Sequence, residues 1–243
     1  MLSAAGVFGI VAAIPYSLTV QGLTLKASGR LPVIILLQVI QATILVVIAV
    51  AVGLLLGSRM GLGAPLIEKS LAGESIWETL KGILGPSMMF GAIISLIITA
   101  FEKAIFAPRM PKLSRRPVVP IWQAVLACLY GGITEELLMR LGLLTVLAWL
   151  FGNISYTAQG FPSDAAICTA IMFTAIAFGL GHLPATAALV PLTPVVVIRA
   201  LALNSLAGLV FGYLYWTQGL ESAIFAHFTV DIVSHAIIAP FLS

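Results

Sequence analysis

Charged residues are scarce in this chain. Asp, Glu, Lys and Arg together make up 9% of its 243 residues, whereas a soluble domain carries about 25%. Apolar residues make up 60%, and the mean hydropathy is +1.13. This deficit of charge excludes an ordinary soluble domain and predicts an integral membrane protein. The apolar runs are continuous, whereas the strands of a membrane β-barrel alternate polar and apolar residues over about 10 positions, so a barrel is disfavoured.

Cysteine is also scarce, and the chain has little net charge. Cys128 and Cys168 both lie within apolar stretches, so neither a disulfide framework nor a CxxC metal site is indicated. The net charge of +3 does not indicate nucleic-acid binding, because most Lys and Arg residues lie between apolar runs, where topology signals are found. We therefore expect no nucleic-acid partner.

Long apolar runs dominate what the sequence does contain. A membrane span needs about 20 apolar residues. Seven runs reach or approach this length, at about residues 3–20, 32–57, 83–106, 120–150, 165–183, 195–217 and 219–240. A short or re-entrant helix between Pro184 and Pro194 would make eight. The sequence thus predicts an all-α, polytopic transmembrane helix bundle of seven or eight spans, in a single domain over residues 1–243.

The fourth run is longer than a membrane requires. It has about 31 residues and would be about 46 Å long as one helix, which exceeds the hydrocarbon core of about 30 Å. We expect it to tilt, to kink at Gly131 and Gly132, or to protrude. Loops rich in Lys and Arg follow the first and third runs. By the positive-inside rule these loops face the cytoplasm, and the N-terminus lies outside.

Two GxxxG motifs bear on how the helices associate. They are Gly53-x-x-x-Gly57 and Gly208-x-x-x-Gly212, and such pairs let helices approach closely. We interpret them as ordinary packing within the chain rather than as a dimer seam. The protein is accordingly expected to be a monomer or a homodimer.

A few polar side chains stand out inside the apolar runs. A charge at membrane depth costs roughly 2.5 kcal/mol or more, so the presence of each charged side chain there calls for a structural or functional explanation. The fourth run carries Glu135, Glu136 and Arg140, and the fifth carries His182. The last run carries His227, Asp231 and His235, and the sixth carries Asn204. His235 and Asn204 are interpreted as hydrogen-bonded core residues, whereas the others, spread over three spans, are hard to explain as packing.

The spacing along the helix predicts different roles for the two glutamates. Glu136 and Arg140 are four residues apart, share a helix face and can form an ion pair. Glu135 is rotated by about 100° from Glu136, so it is less easily neutralised and is available as a general acid or base. His227 and Asp231 are also four residues apart, and a neighbouring carboxylate orients an imidazole.

These residues match the pattern of a known family. The chain resembles the intramembrane proteases of the CAAX-processing and bacteriocin-processing group (CPBP or Abi), which includes the type II CAAX endopeptidases. Their pattern is EExxxR, then FxxxH, then HxxxN or HxxxD on successive membrane helices. Here Glu135 to Arg140, Phe178 to His182, and His227 to Asp231 match in order. Residues 1–115 show only generic hydrophobicity, so residues 116–243 would form the catalytic core.

The resemblance implies hydrolysis of a peptide bond within the membrane. Glu135, together with His182, would activate a water for attack on the scissile carbonyl. His227 and Asp231 would hold the water or stabilise the oxyanion. The supporting residues would be Glu136, Arg140 and Phe178. The substrate would be a membrane-associated or lipid-modified protein or peptide, prenylated or not, met in the plane of the membrane lipid at a site towards the cytoplasmic side.

The resemblance leaves two questions for this chain: the role of residue 231, and whether the reaction uses a metal ion. Asp231 stands where the eukaryotic-type prenyl-protein proteases carry Asn, and an ionised Asp cannot donate a hydrogen bond to an oxyanion. We expect Asp231 to orient His227 or to stay protonated. Glu135, His182 and His227 also resemble a zinc triad. Because the sequence has no HExxH motif and a glutamate-activated water needs no metal, we favour chemistry without a cofactor and keep zinc as the alternative.

Two other functions fit parts of the pattern. Buried Glu and His residues also form the proton relays of ion-coupled transporters. Transporters often show repeated halves, and no internal repeat is evident here. A non-catalytic scaffold or immunity-type member of the family is the other alternative, which the intact motifs disfavour.

Overall fold

A computed structural model describes residues 1–25, 31–111 and 119–234. These residues are almost entirely helical. The α-helices are α1 (Leu2–Ala12), α2 (Ile14–Leu25), α3 (Leu31–Gly57), α4 (Pro65–Leu71), α5 (Trp77–Phe101), α6 (Ile121–Leu129), α7 (Thr145–Gly152), α8 (Asp164–Gly181), α9 (Leu183–Ala187), α10 (Pro194–Gln218) and α11 (Leu220–Asp231). Short π-helical and 3₁₀ segments cover Glu102–Phe106, Ala107–Arg109, Tyr130–Glu135 and Leu137–Leu144. Within the described ranges there is one isolated antiparallel bridge, Tyr156 to Pro162, and no strand, which confirms the all-α prediction.

Among the described residues, five helices are long and apolar enough to cross a membrane. They cover Leu2–Val20, Pro32–Gly57, Trp77–Arg109, Asp164–Ala187 and Pro194–Gln218. Each coincides with one of the seven predicted runs, and the chain is an integral membrane protein. The remaining two runs stay predictions as spans. One is helical from Ile121 to Gly152. The other is helical as α11, and its predicted end at about residue 240 lies outside the described residues.

The fourth predicted span lies at the centre of the bundle. Leu137, Leu141 and Leu144 are fully buried in the main apolar cluster. Many large apolar side chains on the outer helices are instead exposed, as lipid-facing residues must be. Examples are Leu36, Leu37, Ile48, Leu55, Leu96, Met172 and Phe173.

Small residues bring the helices together within one chain. A Cβ atom at Gly53 would overlap the backbone of Leu141. On α10, a Cβ at Gly208 would lie 3.0 Å from the Cα of Ala175, and one at Gly212 would lie 2.9 Å from the side chain of Ile171. Both GxxxG motifs therefore act in intramolecular packing, as interpreted from the sequence.

The start of α11 is held by the connection between α3 and α5. Gly219 has a φ of +94°, a conformation that favours glycine, and it ends α10. The N–H of Leu220 then donates to the carbonyl of Gly63 at 2.9 Å. The carboxylate of Glu221 accepts a hydrogen bond from the N–H of Ile67 at 2.9 Å. These bonds fix the entry of the helix that carries the last motif.

Candidate active site

The glutamate pair lies on an unusual stretch of helix. After α6 the backbone is π-helical over Tyr130–Glu135 and again over Leu137–Leu144. π-Helical turns are rare and frequently occur at functional sites. The predicted irregularity near Gly131 and Gly132 is therefore a change of helix type. Both glycines are buried against α11, where a Cβ at Gly132 would lie 3.1 Å from the Cβ of Phe228.

The carboxylate of Glu136 contacts two other buried polar side chains. Its Oε2 lies 3.2 Å from Nε of Arg140, and its Oε1 lies 2.6 Å from Nδ1 of His227. The side chains of Glu136 and Arg140 are both 0% exposed. The expected ion pair is thus present. A carboxylate has two oxygens, so it can face the guanidinium with one and accept a hydrogen bond from an imidazole N–H with the other.

Arg140 is held on three sides. Its Nη2 donates to the carbonyl of Gly208 at 3.1 Å. The guanidinium carbon lies 4.9 Å from the centre of the Phe178 ring and 5.2 Å from that of Phe211. Cation–π contacts with two aromatic faces offset part of the cost of burying the charge. Arg140 therefore acts on His227 through Glu136, and Phe178 is the other motif residue that it contacts.

His227 is fixed by stacking and by one strong hydrogen bond. Its ring stacks on Phe211 with centroids 4.5 Å apart and meets the edge of Phe178 at 5.6 Å. Because Nδ1 faces a carboxylate oxygen of Glu136, which accepts hydrogen bonds, we assign the proton to Nδ1 as the donor. The other ring nitrogen, Nε2, is left to face the site.

Two further carboxylates meet at that nitrogen. Nε2 of His227 lies 3.8 Å from Oε2 of Glu135 and 3.7 Å from Oδ1 of Asp231. The side chains of Glu135 and Asp231 are 21% and 18% exposed, so both are more accessible than Glu136. Gly131 faces the same place, since a Cβ there would overlap Oδ2 of Asp231 and lie 3.2 Å from Nε2 of His227. A glycine at 131 therefore keeps this space open.

Glu136 makes the hydrogen bond that orients His227, whereas the predicted role of Asp231, to orient His227 or to stay protonated, stays a prediction. Asp231 is beyond hydrogen-bond distance of the ring at 3.7 Å, and the orienting hydrogen bond belongs to Glu136. The sequence spacing favoured Asp231 because it lies one helical turn from His227. Glu136 is 91 residues away from His227 in the chain, and no sequence signal points to their contact. Phe211 was likewise missed, since it belongs to none of the three motifs.

His182 lies beside this cluster rather than within it. It ends α8, and its Nδ1 lies 2.8 Å from the carbonyl oxygen of Phe178. The ring meets the edge of Phe178 at 4.7 Å. A carbonyl only accepts, so Nδ1 carries the proton and Nε2 is available as an acceptor when the ring is neutral. In the described part of the chain no hydrogen bond joins the side chains of His182 and Glu135.

The remaining polar residues behave differently. The side-chain amide of Asn204 donates to the carbonyl of Ala200 at 2.8 Å, as expected for a residue satisfied within its own helix. His235 lies outside the described residues. Among the residues that the structure describes, no three His, Cys, Asp or Glu side chains are arranged to hold a metal ion. Metal-free chemistry, and its alternative of zinc held by Glu135, His182 and His227, both stay predictions.

Comparisons with known proteins give one match. Residues 117–233 match the family described as type II CAAX prenyl endopeptidase Rce1-like, a range that contains every candidate site residue. Searches of curated proteins and of solved structures find no match.

Proposed function

The chain belongs to the Rce1-like family of type II CAAX prenyl endopeptidases, and from this membership we propose that it is a membrane-embedded endopeptidase in which Glu135 activates the attacking water. The observation that carries the proposal is the environment of His227. Its Nδ1 is anchored on Glu136 at 2.6 Å, and its Nε2 faces Glu135 at 3.8 Å and Asp231 at 3.7 Å.

Those distances suit a shared water molecule. They are too long for direct hydrogen bonds, but a single water can bridge groups at such separations. In the proposed reaction Glu135 takes a proton from this water while the water oxygen attacks the scissile carbonyl carbon. The proton then passes to the leaving amide nitrogen as the C–N bond breaks. The products are one peptide with a new carboxylate and one with a new amine.

His227 is suited to stabilise charge in this reaction. When its ring is protonated, Nε2–H points into the site while Nδ1–H remains on Glu136, so the cation is oriented. A donor aimed at a developing oxyanion contributes much of the rate enhancement in acyl transfer. Asp231 borders the same space and would hold the water or, when protonated, donate a hydrogen bond to the oxyanion. His182, with its free Nε2, would assist Glu135.

The proposed substrate is a protein or peptide that reaches the site from the membrane, with or without a prenyl group. We place the site towards the cytoplasmic side and the protein in the plasma membrane if the host is a prokaryote. The transporter alternative is not favoured, because family membership points to proteolysis.

The decisive experiment is cleavage of a peptide panel by purified protein. Prenylated and unprenylated peptides are incubated with wild-type protein and with Glu135→Gln, and products are identified by mass spectrometry. Loss of a general base typically costs about 10²- to 10⁴-fold in rate, so the variant should lose turnover while keeping its thermal unfolding midpoint. Glu78→Gln is the matched control, because Glu78 is 87% exposed in a surface pair with Lys81. Full turnover by Glu135→Gln would contradict the proposal.

A further inference from the structure

The first helix packs against the π-helical stretch of the candidate active site. Two glycines of α1, Gly6 and Gly9, are buried at this contact. A Cβ atom at Gly6 would lie 2.6 Å from Cγ1 of Val46 in α3 and 2.9 Å from Cδ1 of Leu137. A Cβ atom at Gly9 would overlap Oγ1 of Thr134. Since small residues let helix backbones approach closely, α1 lies between α3 and the π-helical stretch, in close contact with both.

A hydrogen bond crosses this contact at Thr134, the residue before Glu135. The side chain of Thr134 is fully buried, and its hydroxyl donates to the carbonyl oxygen of Gly6 at 2.9 Å. A threonine within a helix ordinarily donates to a carbonyl of its own helix about one turn earlier. This local pattern is followed by other threonines of the described helices, at Thr99, Thr174 and Thr229. The bond from Thr134 instead joins two helices.

The position of Glu135 depends on the backbone that carries it. Among the described residues its carboxylate makes no hydrogen bond, and its Oε2 lies 3.8 Å from Nε2 of His227. Glu136, by contrast, is held directly by a hydrogen bond with His227 at 2.6 Å. The backbone over Tyr130–Glu135 is π-helical, a rare form, so contacts from other helices are needed to stabilise it. The bond from Thr134 is such a contact, one residue away from Glu135.

We propose that α1 is part of the active-site scaffold and that Thr134 is a positioning residue, whose hydrogen bond to Gly6 sets where the carboxylate of Glu135 lies. α1 lies outside residues 117–233, the range that matches the family, so family membership assigns it no role. The inference rests on the proposed function, in which Glu135 activates the water. Rates are sensitive to such placement, because a shift of about 1 Å can cost about 100-fold. A bond that served stability alone would leave kcat of the folded protein unchanged.

The test removes the hydroxyl and keeps the shape of the side chain. For the peptide cleaved fastest in the panel, Thr134→Val should lower kcat about 10- to 100-fold. KM should be unchanged, because Thr134 is buried away from the substrate. Thr134→Ser keeps a donor and should regain most of the lost rate.

Thr174→Val is the matched control. Thr174 is 1% exposed, and its hydroxyl donates within α8 to the carbonyl of Ala170 at 2.7 Å. This variant also loses a buried hydroxyl, but it should keep the wild-type kcat. Equal losses of kcat in the two valine variants, or no rescue by Thr134→Ser, would overturn the inference.

A double-mutant cycle tests whether Thr134 acts through Glu135. Thr134→Val is added to Glu135→Gln, and the residual cleavage is measured with protein in excess over peptide. If the hydroxyl acts only by placing the carboxylate of Glu135, the second substitution should leave the residual rate unchanged, as for residues that act as one unit. A further loss by the factor seen in the wild-type background would indicate a general structural role and overturn the inference.

A disulfide reports the contact without any turnover. The Cβ atoms of a disulfide are about 3.5–4.5 Å apart, a separation that the close approach of Gly9 to Thr134 allows. The variant with Gly9→Cys and Thr134→Cys is treated with a mild oxidant, and mass spectrometry distinguishes this bond from one to Cys128. We expect the disulfide to form, and its absence from the folded variant would overturn the inference. A disulfide that forms while wild-type protein cleaves no peptide would count against the proposed function and not against the contact of α1 with Thr134.

Discussion

Nδ1 of His227 lies 2.6 Å from Oε1 of Glu136, although the spacing of the motif residues suggested that Glu136 served Arg140 alone. One buried carboxylate thus joins the structural arginine to the imidazole of the site. Partners of this kind fix the tautomer and orientation of a histidine. The ion pair is therefore part of what positions the reacting groups.

Replacing Arg140 alone should lower the free energy of unfolding more than replacing both Glu136 and Arg140. Arg140→Leu leaves a fully buried carboxylate without its cation, and breaking such a pair costs about 3–5 kcal/mol. The double variant Glu136→Leu with Arg140→Leu should regain much of that stability. It should not regain cleavage, because Nδ1 of His227 would lose its acceptor.

Thermal unfolding in detergent and peptide cleavage, measured side by side, check this prediction. Glu78→Gln serves as the reference for an exposed ion pair, which contributes little. A double variant that unfolds as early as the single one, or that cleaves at the wild-type rate, would show that Glu136 does not connect the two roles.

Replacing Asp231 tests what its carboxylate does. Asp231→Asn keeps the size of the side chain and can donate a hydrogen bond, so turnover should stay within about tenfold of wild type, since one neutral hydrogen bond contributes about 1 kcal/mol. Asp231→Leu should lose far more. If Asp231 were itself the proton acceptor, Asn and Leu would be equally damaging, and initial rates of the three proteins distinguish these cases.

Turnover should depend on the absence of a side chain at Gly131. In Gly131→Ala the new methyl group meets Asp231 and His227, so we expect a loss of turnover of at least tenfold. Gly181 also lies next to a motif histidine, but a Cβ there would meet nothing within 4 Å. Gly181→Ala is therefore the matched control and should cleave normally. Equal rates for the two alanine variants would contradict the proposed crowding.

Phe178 should support both stability and activity. Its ring contacts His182, His227 and Arg140. Phe178→Leu removes these contacts and leaves space in the core, so we expect a loss of about 1–3 kcal/mol together with slower cleavage. Phe173 lies on the same helix but is 56% exposed and packs on Phe151 with ring centroids 5.7 Å apart, away from the motif histidines. Phe173→Leu should therefore keep the wild-type kcat. The unfolding midpoint and kcat of both variants provide the check.

Chelation tests the metal-free proposal directly. Cleavage by wild-type protein should be unchanged after dialysis against EDTA and after addition of 1,10-phenanthroline. Zinc added back should not raise the rate. Loss of activity that zinc restores, with zinc bound in a one-to-one ratio by elemental analysis, would replace the proposed mechanism by one that needs a metal.

Much of the fold was predictable because its signals are local. Low charge and runs of about 20 apolar residues predict helices across a membrane, and five such helices are present. The pairing of Glu136 with Arg140 followed from their spacing along one helix. Packing of the GxxxG motifs within the chain was also expected. The π-helical backbone at Tyr130–Glu135 and Leu137–Leu144 was not, because it depends on how neighbouring helices press on this segment.

The amino-acid sequence by itself determined the membrane class and the order of the three motifs, and it predicts that Glu135 is available as a general acid or base. Only the tertiary structure decided which carboxylate holds His227 and that Phe211 stacks on it. The physical reason is that these relationships depend on the rotation and register of helices that are far apart in the chain. Packing of small residues such as Gly131, Gly179 and Gly208 sets both, and no local pattern encodes it.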